Sequence, residues 1–318
     1  MGGLDSGTRV GVHVLTLTAL TIILFAAAGF VPVLGIIVSL LAPTPLLLVI
    51  LRYGRRVGLL ALALAASLLA LLLGHFQSVI FLAEYGVMAL TMAEAIRRKW
   101  SVERTLLTAT AVPFISTGLA MGLLLSSANV DLSTIRQHFE QDLAQTLPQY
   151  LNQGGDAIDG ELRAYIEEAL SIVVRLIPAL LIISTAATAL INYGLIRIVW
   201  RRAGNQEAFP EVKLAHWKVP DVCVWVLIAA GLGSFIPLAG VQVLALNALL
   251  LVGLLYTVQG LGIMVFYFQK ASVPPLFRSL AYLFLVIQPL LLMGVAAFGL
   301  FDLWFDFRRL HHKREESS

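Results

Sequence analysis

Charge is what this chain has least of. Only 13% of its 318 residues are Asp, Glu, Lys or Arg, whereas 59% are hydrophobic. A soluble domain carries about 25% charged and about 45–50% apolar residues. The shortage excludes an ordinary water-soluble globule, because such a surface cannot be built from so few charges. The outside of the molecule needs a solvent that accepts apolar surface, and that solvent is the lipid bilayer. A mean hydropathy of +0.88 agrees. Cysteine is nearly missing too. The single Cys223 excludes an internal disulfide and any CxxC metal site, and reads as inert packing. A surplus of one sign is also absent: the net charge is +3, set in short clusters between apolar runs. Such clusters are topology signals and leave no nucleic-acid footprint. HExxH, GxSxG, Walker A and dinucleotide fingerprints are all missing. No nucleophile can be paired with a base, so no enzyme and no cofactor is expected. His311 and His312 read as part of a solvated basic tail.

What the chain does have is apolar runs long enough to cross a bilayer, which takes about 20 residues. They are Val10 to Phe30, Val33 to Leu51, Val57 to Leu73, Val79 to Ile96, Leu106 to Leu125, Ile172 to Val199, Val222 to Ile236, Val241 to Phe268 and Leu280 to Phe301. The expected fold class is all-α, a polytopic membrane helix bundle of about nine spans. The first run is too long for the apolar part of a signal peptide, about 7–15 residues, and reads as a retained helix. Pro43 and Pro45 should interrupt the second run, with Thr44 extended or kinked.

Lys and Arg alternate between loops. Arg52, Arg55 and Arg56 follow run two, and Arg97, Arg98, Lys99 and Arg104 follow run four. Arg197, Arg201, Arg202, Lys213 and Lys218 follow run six, and Lys270 and Arg278 follow run eight. The intervening loops are nearly free of them. This places the N-terminus in the cytoplasm and the chain in a plasma membrane. Nine crossings then put the tail outside, against its Arg308, Arg309, Lys313 and Arg314. Asp302, Asp306, Glu315 and Glu316 offset those charges. The polar segment Ser126 to Glu168 reads as an acidic, helical extracytoplasmic insert, with Leu132, Ile135, Phe139, Leu143 and Leu147 at helical spacing. It rests on the membrane face or serves as a lid.

Ionisable groups inside a membrane are costly and mark candidate sites. Glu84 lies about six residues into run four, with Tyr85 beside it. Its carboxyl group pairs with another helix, carries a proton or meets a polar ligand. Glu94 should pair with Arg97 or Arg98. Asn192, Asn247, Gln259 and Gln288 lie within runs six, eight and nine, where amides act as hydrogen-bonding glue between helices. Gly118 and Gly122 form a GxxxG packing signal in run five.

Three stretches carry a resemblance. They are Leu41-Ala42-Pro43-Thr44-Pro45-Leu46-Leu47-Leu48, continuing into Arg52-Tyr53-Gly54-Arg55-Arg56; Asn247 through Tyr256 to Gln259-Gly260; and Phe301-Asp302-Leu303-Trp304-Phe305-Asp306-Phe307-Arg308. Together they resemble the YybS-like family of bacterial membrane proteins, a family of unknown function, over nearly the whole chain. The first six runs are also similar to the membrane-embedded S component of energy-coupling-factor vitamin transporters. The likeness lies in the Pro-broken second run, the charged-glycine turn and the small-residue third run. It implies six helices around a small polar ligand near the outer face, with Glu84, Tyr85 and Asn192 lining the pocket. It also implies a transmembrane partner with two energy-coupling ATPase subunits. The AxxxA docking pattern common in the first helix of those proteins is not found in Val10 to Phe30. On this reading residues 1–125 and 169–203 form the S-component-like core, 126–168 the insert, and 219–318 the C-terminal membrane helices with their basic tail. The expected function is a membrane-embedded small-molecule-binding protein, the substrate-binding part of a transporter without its own ATPase. The alternative is a non-transporting membrane scaffold or cell-envelope assembly factor.

Overall fold

The computed structural model describes residues 2–31, 34–127, 160–203, 209–210 and 214–308. The expected amphipathic insert helix falls at 128–159, outside the described residues. Every regular element among the described residues is helical. The chain is an all-α polytopic membrane protein. Its described residues fall into two compact units, one within 1–166 and 181–210, the other within 167–180 and 211–318.

The first unit begins with α1 (Gly2–Phe30) and the short α2 (Leu34–Ser39). It continues with α3 (Pro43–Tyr53), α4 (Arg55–Leu73) and α5 (His75–Phe81). A π-helical turn, Leu82–Gly86, joins α5 to α6 (Val87–Arg97), and α7 (Val102–Ser127) follows. Helix α8 (Gly160–Arg202) runs 43 residues, and its part beyond residue 180 belongs to this unit. Gly54 and Gly74 each reverse the chain alone, at φ of 94° and 95°. A side chain at such φ is strained, so glycine makes these one-residue turns possible. The core gathers Leu46, Leu47, Leu69, Phe81, Met88 and Met92, all fully buried. The small residues expected to line run three are partly internal: Ala61, Ala65 and Ala66 are buried, which lets α4 approach α3 closely.

The second run is not one regular helix, but the break differs from expectation. The irregular residues are Leu40–Ala42, where Ala42 N–H bonds Ser39 O and Thr44 N–H bonds Leu41 O, both at 3.0 Å. Thr44 is helical rather than extended. Pro43 and Pro45 occupy the first turn of α3, where the first N–H groups lack helical partners anyway. They start a helix instead of breaking one.

The second unit contains residues 167–180 of α8, a 3₁₀ turn (Leu214–His216), α9 (Val222–Gly233) and α10 (Ala239–Lys270). It ends with α11 (Pro275–Ile287) and α12 (Pro289–Phe305). Helix α10 is its spine and packs on α9, α12 and the 3₁₀ turn.

Seven described helices are long and apolar enough to span, and eight if one bent pair counts as a span. The seventh apolar run forms α9, a helix of 12 residues, about 18 Å long against a hydrocarbon core of about 30 Å. The ninth run is split by Gln288-Pro289: α11 and α12 meet at 106°. Pro289, at the first position of α12, needs no N–H partner, so the bend costs few backbone hydrogen bonds.

Candidate functional site

Glu84 sits in the π-turn, half-buried, with Tyr85 beside it and also half-buried. Thr185 Oγ1 on α8 donates to Glu84 Oε1 at 3.3 Å. That is a long bond for an O–H donor and a carboxylate. No ion pair reaches Glu84 among the described residues. The Tyr85 ring packs edge-on against Phe25 at 5.3 Å and lies parallel to Phe81 at 6.3 Å. Widened turns of this kind occur often at functional sites. The arrangement is a carboxylate beside an aromatic cluster, held by one hydroxyl.

Asn192 is fully buried two turns further along α8. Its Nδ2 donates to Leu40 O and to Thr188 O, both at 2.7 Å, and its Oδ1 accepts from Thr44 Oγ1 at 2.5 Å. Leu40 O is a carbonyl released where α2 ends, because Thr44 N–H bonds Leu41 O instead. Both N–H donors of Asn192 are thus spent inside the protein, closing the gap before Pro43. Thr185, Thr188 and Asn192 fall on one face of α8, so Glu84 and Asn192 meet the same polar stripe. Thr185 and Asn192 stand about 10.5 Å apart along the axis. Two of the three expected site residues therefore share one seam, Glu84 half-buried and Asn192 fully buried, while Tyr85 packs against Phe25 and Phe81 beside it.

The second unit holds two amides that act as the expected glue and one buried ion pair that sequence reasoning missed. Asn247 on α10 faces the kink that Pro178 makes in α8. Its Nδ2 donates to Arg175 O and its Oδ1 accepts from Ala179 N–H, both at 2.7 Å. Arg175 O and Ala179 N are the pair a regular helix would join directly. The amide is spliced into the broken rung. Gln259 Oε1 accepts from Val219 N–H at 2.7 Å, and its Nε2 donates to Asp302 Oδ2 at 3.1 Å. Arg308 Nη2 donates to the same oxygen at 2.7 Å, while Nη1 donates to Ala215 O and Trp217 O at 2.9 Å each. Both side chains of the Asp302–Arg308 pair are fully buried. Asp302 Oδ1 and Arg308 Nε have no hydrogen-bond partner. Asp302 is no counterweight to a solvated tail, as the charge pattern suggested. The usable signal was a lone carboxylate in a run of aromatic and apolar residues, where an unpaired charge is costly. Three of the four intramembrane amides serve as glue, while Gln288, at the bend, is exposed.

Residues 19–303 match the family described as "Predicted membrane protein (DUF2232)". The chain is also similar to the uncharacterized protein YybS of Bacillus subtilis (strain 168). The two are 24% identical over 313 residues, which cover 95% of this chain and 98% of that protein. No solved structure matches the chain. The family match takes in the π-turn, all four amides and Asp302, and covers far more than half of the sequence; the chain therefore belongs to the DUF2232 family of membrane proteins.

Proposed function

We propose that this protein is a membrane-embedded small-molecule-binding protein, with Glu84 and Tyr85 contacting the ligand and Asn192 shaping the closed end of the site. The carrying observation is the Glu84 carboxylate, half-buried among apolar helices with one 3.3 Å hydroxyl bond and no ion pair among the described residues. A membrane protein keeps such a group only where something compensates its charge. A cationic or hydrogen-donating ligand does so, and the Tyr85, Phe25 and Phe81 rings supply apolar contact. This fits the substrate-binding part of a bacterial transporter of the S-component type, without its own ATPase and served by energy-coupling subunits. The reading is non-enzymatic. The loop Lys/Arg pattern supports a plasma-membrane protein with a cytoplasmic N-terminus.

Native mass spectrometry of the purified chain tests the reading through a co-purifying small molecule. Glu84→Gln keeps the shape and removes the charge. It should lower occupancy about tenfold or more, the scale of one charged hydrogen bond. Unchanged occupancy with only a lowered melting temperature would show Glu84 to be a brace.

A second reading, a non-transporting membrane scaffold or cell-envelope assembly factor, is favoured by α7. A Cβ built on Gly118 or Gly122 meets nothing within 4 Å, so this GxxxG face is open. Gly118→Ile should then release a partner from pull-downs without unfolding the protein. Unchanged partner recovery would count against the scaffold.

A further inference from the structure

One end of the first unit carries a dense patch of cations. The α3–α4 turn brings Arg52, Arg55 and Arg56, and the α6–α7 turn brings Arg97, Arg98, Lys99 and Arg104; all seven are exposed. The acidic residues in the same stretches are Glu94 and Glu103. The two turns are tied together by Arg97, whose Nη2 donates to Ile50 O at 2.5 Å; within α6, Arg98 Nε donates to Glu94 Oε1 at 2.6 Å. The charges of Arg55 and Arg97 also reach Glu94. Trp100 stands in this patch, half-buried, with the Arg104 guanidinium 4.0 Å from its ring centroid and that of Arg98 at 5.9 Å. Lys99, at φ 53°, turns the chain so that Trp100 N–H bonds Ala95 O at 3.0 Å. The first turn of α4 has no side-chain cap, so its free N–H groups add the positive end of a helix to the patch.

The depth of the patch follows from chain length. Helices α3 and α4 are linked by Gly54 alone, and α6 and α7 by four residues. All four helices lie in membrane-length segments. Links of one to four residues reach at most about 14 Å, so the cations stay in or beside the headgroup layer. Trp100 is the residue type that settles at that level. The anion fixed at that depth is the phosphate of phospholipids.

We propose that this patch is a binding site for the phosphate headgroup of an anionic phospholipid, gripped by Arg98, Arg104 and Trp100 and by the cations of the α3–α4 turn. The site is separate from Glu84 and does not depend on what binds there. The test uses the full chain in detergent, titrated with short-chain phosphatidylglycerol or phosphatidylcholine. Phosphatidylglycerol should raise the melting temperature by roughly 5 °C more than phosphatidylcholine. Native mass spectrometry should show it retained preferentially. Arg98→Gln combined with Arg104→Gln should remove at least half of that excess, and Lys270→Gln in the other unit should not. If the double variant does not fold, Arg104→Gln alone, read by the fraction of lipid-bound protein, replaces it. Equal shifts with the two lipids, or retention unchanged in the patch variants, would overturn the proposal. So would a full shift produced by inorganic phosphate at the same concentration.

Discussion

The buried Asp302–Arg308 pair shows how much one polar contact decides in this chain. Two opposite charges taken out of solvent roughly cancel their desolvation cost only while both are present. Arg308→Met should therefore cost about 3–5 kcal/mol by leaving Asp302 uncompensated. The double variant Asp302→Leu, Arg308→Met should recover most of that loss. Unfolding in mixed micelles of the single and double variants checks this, and additive losses would refute the coupling. Asn192 obeys a similar rule in a neutral form. Asn192→Leu strands Leu40 O and the Thr44 hydroxyl, at about 1–3 kcal/mol for a buried group left unpaired. A stability loss below the uncertainty of the same unfolding measurement would mean that water reaches those groups.

At the scale of elements, two interruptions are each matched by a side-chain amide from another helix, Asn192 at the α2–α3 break and Asn247 at Pro178. Pro178 opens a rung of α8 and Asn247 fills it. Pro178→Ala lets Ala179 N–H bond Arg175 O directly, which makes the Asn247 amide redundant there. The cost of Asn247→Leu should then fall by at least about 0.5 kcal/mol in a Pro178→Ala background, the size of a contact coupling. Equal costs in both backgrounds would disprove the splice. Glycine follows the same logic of close approach. A Cβ on Gly260 would lie 2.0 Å from Val295 O, and one on Gly299 2.0 Å from Tyr256 O, because α10 and α12 cross backbone to backbone. Gly299→Ala should destabilise by about 1–3 kcal/mol through overpacking. Gly118→Ala on α7 should change stability by less than 0.5 kcal/mol, as expected of an open surface site. Melting curves of the two variants compare them. The GxxxG pattern on α7 marked two loose glycines, while Gly260 and Gly299 stand in no such pair.

At the scale of the whole molecule, the bent α11–α12 pair bears on topology. The end of α12 returns to the residues that precede α9: Arg308 bonds Ala215 O and Trp217 O. Tyr267 in the last turns of α10 donates to Phe307 O at 2.9 Å. A tag fused after Ser318 should therefore share the membrane side of the loop that holds Lys218, next to Trp217. Protease protection in oriented vesicles checks this, and a tag protected oppositely to that loop would refute it. That arrangement removes the conflict between nine crossings and a basic tail, because the bent α11–α12 pair begins and ends at the same end of α10.

Composition alone was enough for the membrane, the helices and the first six long apolar runs, because lipid tolerates only segments that satisfy their own backbone. The glue role of Asn192, Asn247 and Gln259 was legible for the same reason. The bend in the ninth run was not, since hydropathy reports transfer to lipid and is blind to a turn at Gln288-Pro289. Nor was the position of the break near Pro43. Proline removes a hydrogen bond only where one would have formed, and the start of α3 decides that. The Asp302–Arg308 pair and the shared seam of Glu84 and Asn192 join residues far apart in the chain or hidden in an apparent tail. Only packing brings Thr185 to Glu84, or Arg308 to the carbonyls of Ala215 and Trp217, and no local pattern encodes those encounters.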